Sequence, residues 1–274
     1  NNDFVSELAD ESLSFNNISS VVFDTILDIA PESASILTNN LMNSLNEKEA
    51  GVFIKNLFEF NADSAAEITQ NLITTDISFA SSVVQAGSEQ FVDFLSESLV
   101  ANYANEDISQ LTFEVAKNDP TFAAKFLNDI SQLDNADMAS INSSIAIELN
   151  QSSQSEFVNV GVKLTAEISQ INMDISGEMI AGMFLLDSNK AISFSAEVAN
   201  NLSQDLNEQM LLNISNHVMR SDFINEFSTN ISLLDDEEFN EISKFKSSDL
   251  LMMTNSFVEI DQMNSELQAE LGSA

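Results

Sequence analysis

A short phrase returns along the first quarter of this chain at a nearly constant step. Ala34 precedes Asn40-Leu41-Met42, Ala50 precedes Asn56-Leu57-Phe58, and Ala65 precedes Asn71-Leu72-Ile73. The three alanines stand 16 and then 15 residues apart. At about 1.5 Å rise per residue that step holds one three-turn helix and a tight turn. It is shorter than the usual solenoid periods of roughly 20 to 50 residues. A lone helix of this size cannot bury its apolar face in water, so it must lie against its neighbours. The expected fold is all-α, an α-solenoid: a superhelix of short helices in repeats of about 15 residues. A globular all-α bundle with only locally periodic helices is the alternative.

The rest of the chain reads in the same way. Apolar residues recur at helical spacing in Ile36, Leu37, Leu41 and Leu45, and again in Val52, Phe53, Leu57 and Phe60. Between such runs stand Asp, Asn or Ser, the residues that cap helix N-termini. Asp119-Pro120 pairs a cap with proline at the first helical position, where its missing N–H costs nothing, and Pro31 opens a helix similarly. This punctuation predicts helices near 12–29, 31–45, 47–59, 62–75, 76–86, 88–102, 105–118, 120–133, 135–150, 153–170, 174–187, 188–204 and 206–219, then 221–233, 236–246 and 248–270. The polar run 150–155 is the least regular stretch and the candidate joint between helical-repeat halves 1–150 and 151–274, which could also form one continuous domain. Small residues such as Ala65, Ala66, Ala123 and Ala124 suit close helix crossings.

Charge narrows the range of partners. Nine basic residues face 44 acidic ones, a formal net charge of -35, so phosphate backbones and anionic membranes repel the chain. Nucleic-acid binding is excluded on this ground. Chains this acidic are often disordered, but 44% of the residues here are hydrophobic and regularly placed, which fits a folded, self-repelling surface. Divalent cations, high salt or a basic partner would each relieve that repulsion. Cysteine is absent, which removes disulfides, thiolate metal sites and cysteine nucleophiles. No run approaches the 18 or so apolar residues that a membrane span needs, so membrane insertion is not expected. A chain beginning at Asn1, without a leader, is expected to be a processed product.

Catalytic signatures are weak. The single histidine, His217, lies three residues before Arg220, the single arginine. Together they could bind an anion from one helix face, but the plainer expectation is a polar surface pair near a helix end. No Gly-x-Ser-x-Gly elbow, glycine-rich phosphate loop or His-Glu-x-x-His occurs. The acidic group Asp235, Asp236, Glu237 and Glu238, with Glu241 one turn on, offers oxygen ligands to calcium or magnesium. It lacks the spacing of an EF-hand loop, and acids at a helix start have a dipole explanation as well. Diffuse, weak binding of calcium or magnesium is expected, with no other cofactor. Six N-x-S/T sequons, at Asn17, Asn142, Asn150, Asn201, Asn213 and Asn230, match chance for so Asn- and Ser-rich a chain. The phenylalanines Phe53, Phe58, Phe122, Phe126 and Phe184 fall at helical spacing and are expected to pack between helices.

Residues Ala30-Pro31-Glu32-Ser33-Ala34 through Leu45, then Glu47-Lys48-Glu49-Ala50 and Asp63-Ser64-Ala65-Ala66-Glu67-Ile68, carry a resemblance. This pattern of small and aliphatic residues, over about residues 30–150, resembles the short-helix superhelical repeats of the cytoplasmic N-terminal domain of MgtE-type magnesium channels. It is similar to the helical repeats of the flagellar motor switch protein as well. The resemblance implies a right-handed all-α superhelix and, faintly, a response to divalent cations. The family repeat is richer in Pro and Arg, and no ligand residue carries over. In composition the chain is similar to prokaryotic surface-layer and secreted matrix proteins, which commonly assemble through calcium.

Taken together, these features lead to an expected non-enzymatic structural or interaction protein outside the cytoplasm or at the cell surface. It would bind copies of itself or a protein partner through stacked helices, with divalent cations bridging carboxylates. A cytoplasmic scaffold or cation-sensing module with a basic protein partner is the alternative.

Overall fold

The computed structural model describes residues 2–13, 19–87 and 89–219. Among them there are helices and short connections and no strand. Two compact units are present, Asn1–Val115 with Gln132–Asn135, and Ala116–Ser131 with Ala136 onward.

The first unit holds α1 (Asn2–Leu13), α2 (Ser19–Ile29), α3 (Ala34–Ser44), α4 (Glu47–Phe60), α5 (Ala62–Thr75), α6 (Ile77–Ala86), α7 (Glu89–Asn102) and most of α8 (Asn105–Asn118). Of the helix expected over 12–29, residues 12 and 13 belong to α1, Ser19–Ile29 is α2, and residues 14–18 lie outside the described residues. Pro31 opens a short 3-10 turn, Pro31–Ser33, that runs into α3. Helices pack on their second neighbours, so that α1, α3, α5 and α7 form one row and α2, α4 and α6 another, and α1 on α2, α3 on α4, α4 on α5 and α5 on α6 join the rows. That two-row stacking is the α-solenoid arrangement. The sequence unit is one helix, while the packing repeat is two. Side-chain bonds between second neighbours measure it, from Ser6 to Asn40 over 34 residues and from Ser82 to Glu47 over 35.

The second unit holds α9 (Pro120–Ser131), α10 (Met138–Gln151), α11 (Gln154–Glu156), α12 (Lys163–Ile171), α13 (Met173–Leu186), α14 (Ser188–Ala199) and α15 (Gln204–Met219). A π-helical stretch, Phe157–Val162, joins α11 to α12, so the two form one continuous segment. With that segment counted once, the same rule applies. α9 packs on α12, α10 on α13, α12 on α14, and α13 on α15.

One device makes four of these turns. Asn61, Asp76, Asn172 and Asp187 each close one helix and cap the next, with φ between -147 and -151° and ψ between 92 and 112°. The corner N–H donates to the carbonyl four residues back, on Leu57, Leu72, Ile168 or Met183. Its side-chain oxygen accepts from the first turn ahead, as Asp76 Oδ1 does from the Phe79 N–H at 3.0 Å. Each such cap contributes about 1 kcal/mol. Asn46 completes a reciprocal capping box with Glu49, and Asp119 caps the proline-led α9 through the Phe122 N–H.

The repeating phrase is explained by this device. Ala34, Ala50 and Ala65 lie buried in the first helical turns, and Leu41, Leu57 and Leu72 are buried in the last, where their carbonyls accept the corner N–H. The asparagine of the phrase has no shared role: Asn40 is buried and bonds Ser6, whereas Asn56 faces solvent. Close approach recurs at Gly51, where an added Cβ would meet the Cβ of Ala86 as α4 crosses α6. Buried hydroxyls satisfy themselves locally, as Thr38, Thr69 and Thr112 donate to the carbonyls of Ala34, Ala65 and Ile108 one turn back.

Phe53, Phe126 and Phe184 are buried as expected, and Phe58 packs half-buried on Phe91 and Phe94. Phe122 is half-buried. Val52 and Phe60 of the same helical spacing point outward from α4.

Candidate functional site

Three side chains from two helices meet in the second unit. Asn172 caps α13 and places Asp174 in its first turn, and Glu178 follows four residues later on the same face. His217 comes from α15, which crosses α13 beside Gly177, where a Cβ would stand 2.9 Å from the Cβ of Asn213. The absent side chain lets the two backbones approach.

His217 is 3% exposed, against 71% for Asp174 and 18% for Glu178. Its Nε2 lies 3.0 Å from Asp174 Oδ1 and its Nδ1 lies 3.7 Å from Glu178 Oε1. From α10, the buried Asn142 donates its amide to Glu178 Oε2 at 2.7 Å. One imidazole and two carboxylates thus tie α15 to α13, and the asparagine extends the tie to α10. Their ligand atoms lie within 4.8 Å of one another. Asp174, Glu178 and His217 are the residues that could hold a divalent metal here, an imidazole-carboxylate set suited to zinc or manganese. To bind one, the ring would have to give up a nitrogen that already faces a carboxylate.

The surface position expected for His217 is corrected by this geometry. Its partners stand 43 and 39 residues earlier in sequence, two helices back, where a search along one helix does not reach. Asp174 and Glu178 at i and i+4 were the available signal, once helices are known to pair with their second neighbours. Arg220 and the acidic group Asp235, Asp236, Glu237, Glu238 and Glu241 lie outside the described residues. So do the helices expected beyond residue 220.

Elsewhere in the unit, Lys190 donates to the Asn150 carbonyl, with its ammonium 5.0 Å from the centre of the Phe157 ring. Burial holds this ammonium below the usual lysine pKa, and Asp187 partly opposes that. Glu156 is held below the usual carboxylate pKa by bonds from Ser153, with Lys117 a smaller contributor at 3.9 Å.

No family model matches the chain, and no curated protein matches it. A solved structure described as "Computational Design of Self-Assembling Cyclic Protein Homooligomers" is 15% identical, covering 97% of this chain and 96% of its own, at a TM-score of 0.19.

Proposed function

We propose that this chain is a non-enzymatic interaction protein acting outside the cytoplasm. Its stacked helices present acidic faces to copies of itself or to a protein partner, and divalent cations bridge carboxylates where like faces meet. The observation that carries this reading is the division of labour within each helix. Most alanine, leucine and phenylalanine side chains are consumed in neighbour-to-neighbour packing, and most carboxylates, the buried Asp24 apart, are left outside. Glu47, Glu49, Glu59, Asp63, Glu89, Asp93 and Glu97 all face solvent along the first unit. With a net charge of -35, two such faces repel unless a cation or a basic surface lies between them.

Other features support the reading. The absence of cysteine suits an exported protein, and among the described residues no helix is long and apolar enough to cross a membrane. Asp174, Glu178 and His217 serve the packing of α13 and α15, so the best-formed polar cluster has a structural use.

Light scattering at millimolar calcium or magnesium, followed by chelator, tests the proposal. Mass is expected to rise with the cation and fall on chelation. A monomer under all conditions overturns the cation-bridged part.

A further inference from the structure

Resting on the reading of this chain as an interaction protein, we infer that α2 and α4 together form a docking surface for a basic amphipathic helix. Two nine-residue stretches, 21–29 and 52–60, are related by a 31-residue offset and end their helices alike. In each, the first and last residues are large, apolar and turned to solvent. Val21 and Ile29 are 44% and 79% exposed, and Val52 and Phe60 are 52% and 56% exposed. Between them, Thr25 matches Asn56 and Asp28 matches Glu59, all four exposed.

Positions i, i+4, i+7 and i+8 share one side of a helix, so each helix carries an outward stripe of apolar ends around a carboxylate. Core residues of the same stretches behave differently. Phe23 and Phe53 meet edge to face at 4.8 Å and hold the two helices together, so the stripes lie on directly packed neighbours. α6 breaks the series: at the same offset from Val52 stands Val83, which is buried, and α6 closes at Ala86 before the last position of the stretch is reached. The doubled stripe is therefore confined to one pair of helices. A general consequence of repeat packing would have continued into α6.

The charge selects the occupant. Asp28 and Glu59 sit within the stripes, and Glu32 and Glu49 are exposed on the same or adjoining segments, opposed by Lys48 and Lys55. A second copy of the chain would bring another net charge of -35 to this surface. A helix with an aliphatic face and flanking Lys or Arg meets both demands, its apolar side covering Val21, Ile29, Val52 and Phe60 and its cations pairing with Asp28 and Glu59.

The test uses the whole chain and two labelled 14-residue Lys/Leu peptides of identical composition. One places Leu at helical spacing, and the other has the order shuffled. In fluorescence anisotropy at physiological salt, which screens diffuse attraction, the amphipathic peptide is expected to bind at least about ten-fold more tightly. Replacing Val21, Ile29, Val52 and Phe60 together by Ser should reduce that preference to within about two-fold, with the circular dichroism and melting midpoint retained because all four are exposed. Equal binding of both peptides, or a preference that survives the serine variant, overturns the inference. So does loss of cation-dependent self-association in the serine variant of a protein that ignores both peptides, since the stripe would then belong to a copy. Cation-dependent assembly without peptide preference removes this inference alone. Peptide preference without assembly removes only the cation-bridged reading above.

Discussion

Asn61 donates its side-chain amide to Asp24 Oδ1 at 2.6 Å, while the oxygen of the same amide accepts from the backbone of Asp63 at 3.0 Å. One residue thus closes α4, caps α5 and reaches back to α2. Ser64 adds its hydroxyl to the same oxygen of Asp24 at 2.8 Å. Asp24 is buried, and a buried carboxylate persists only where donors replace water. Replacing Asp24 by Ala strands the Asn61 amide and the Ser64 hydroxyl, and should cost about 1–3 kcal/mol in denaturant unfolding at unchanged m. A double-mutant cycle with Ser64→Ala should show coupling of about 0.5 kcal/mol or more. Strict additivity would mean that the contact contributes nothing.

Gly177 is the second test of the packing. Alanine at an ordinary helical position improves stability by about 1 kcal/mol over glycine. Here the new methyl would stand 2.9 Å from Asn213 Cβ and 3.5 Å from the Asn213 backbone carbon, neither of them the end of a flexible side chain. Overpacking should therefore dominate, and Gly177→Ala is expected to lower stability by about 1–3 kcal/mol. A stabilised variant would show that α15 can draw back from α13 without cost.

The helices and their corners were legible because the signals are local. At corners such as Asn61, the capping residue, an alanine four residues on and a leucine before the next corner act within one turn of the backbone, as Asn61, Ala65 and Leu72 show. Pairing between second neighbours was not legible, since nothing within one helix states which other helix it meets. That is why His217 read as a surface residue, its partners Asp174 and Glu178 being two helices away. The exposure of Val52 and Phe60 was hidden for another reason. Apolar spacing marks a face as apolar, but a stripe wider than the neighbouring helices can cover leaves its margin in solvent.

Glu67 gives the fold a handle on pH. Its partial burial in α5 raises the carboxyl pKa above the ordinary value. The folded chain then holds this proton to higher pH than the unfolded chain does. The contribution to stability is present below the ordinary carboxylate pKa and is lost as pH rises through the raised one. Glu67→Gln removes the titration, so its melting midpoint should fall less than that of the wild type as pH rises from about 4 to 6. Parallel curves for the two proteins would refute the assignment.

His217 offers the sharpest test of how the second unit is held. Removing a side chain that is 97% buried leaves a cavity between α13 and α15, and Asp174 and Glu178 lose the ring between them. His217→Ala should therefore cost about 2–4 kcal/mol, with His217→Gln recovering part of it by filling the space and offering an amide donor. Asn142→Ala should cost less, because Glu178 keeps some access to solvent while losing the 2.7 Å bond. The tie is made by contacts already in place: Asp174 faces one ring nitrogen at 3.0 Å and Glu178 faces the other at 3.7 Å, so an ion bound through one nitrogen would leave the other carboxylate's contact behind. Chelator is accordingly expected to leave the wild-type midpoint unchanged. Added zinc that raises the midpoint of the wild type, but not of His217→Ala, would show instead that the three side chains open to receive a metal.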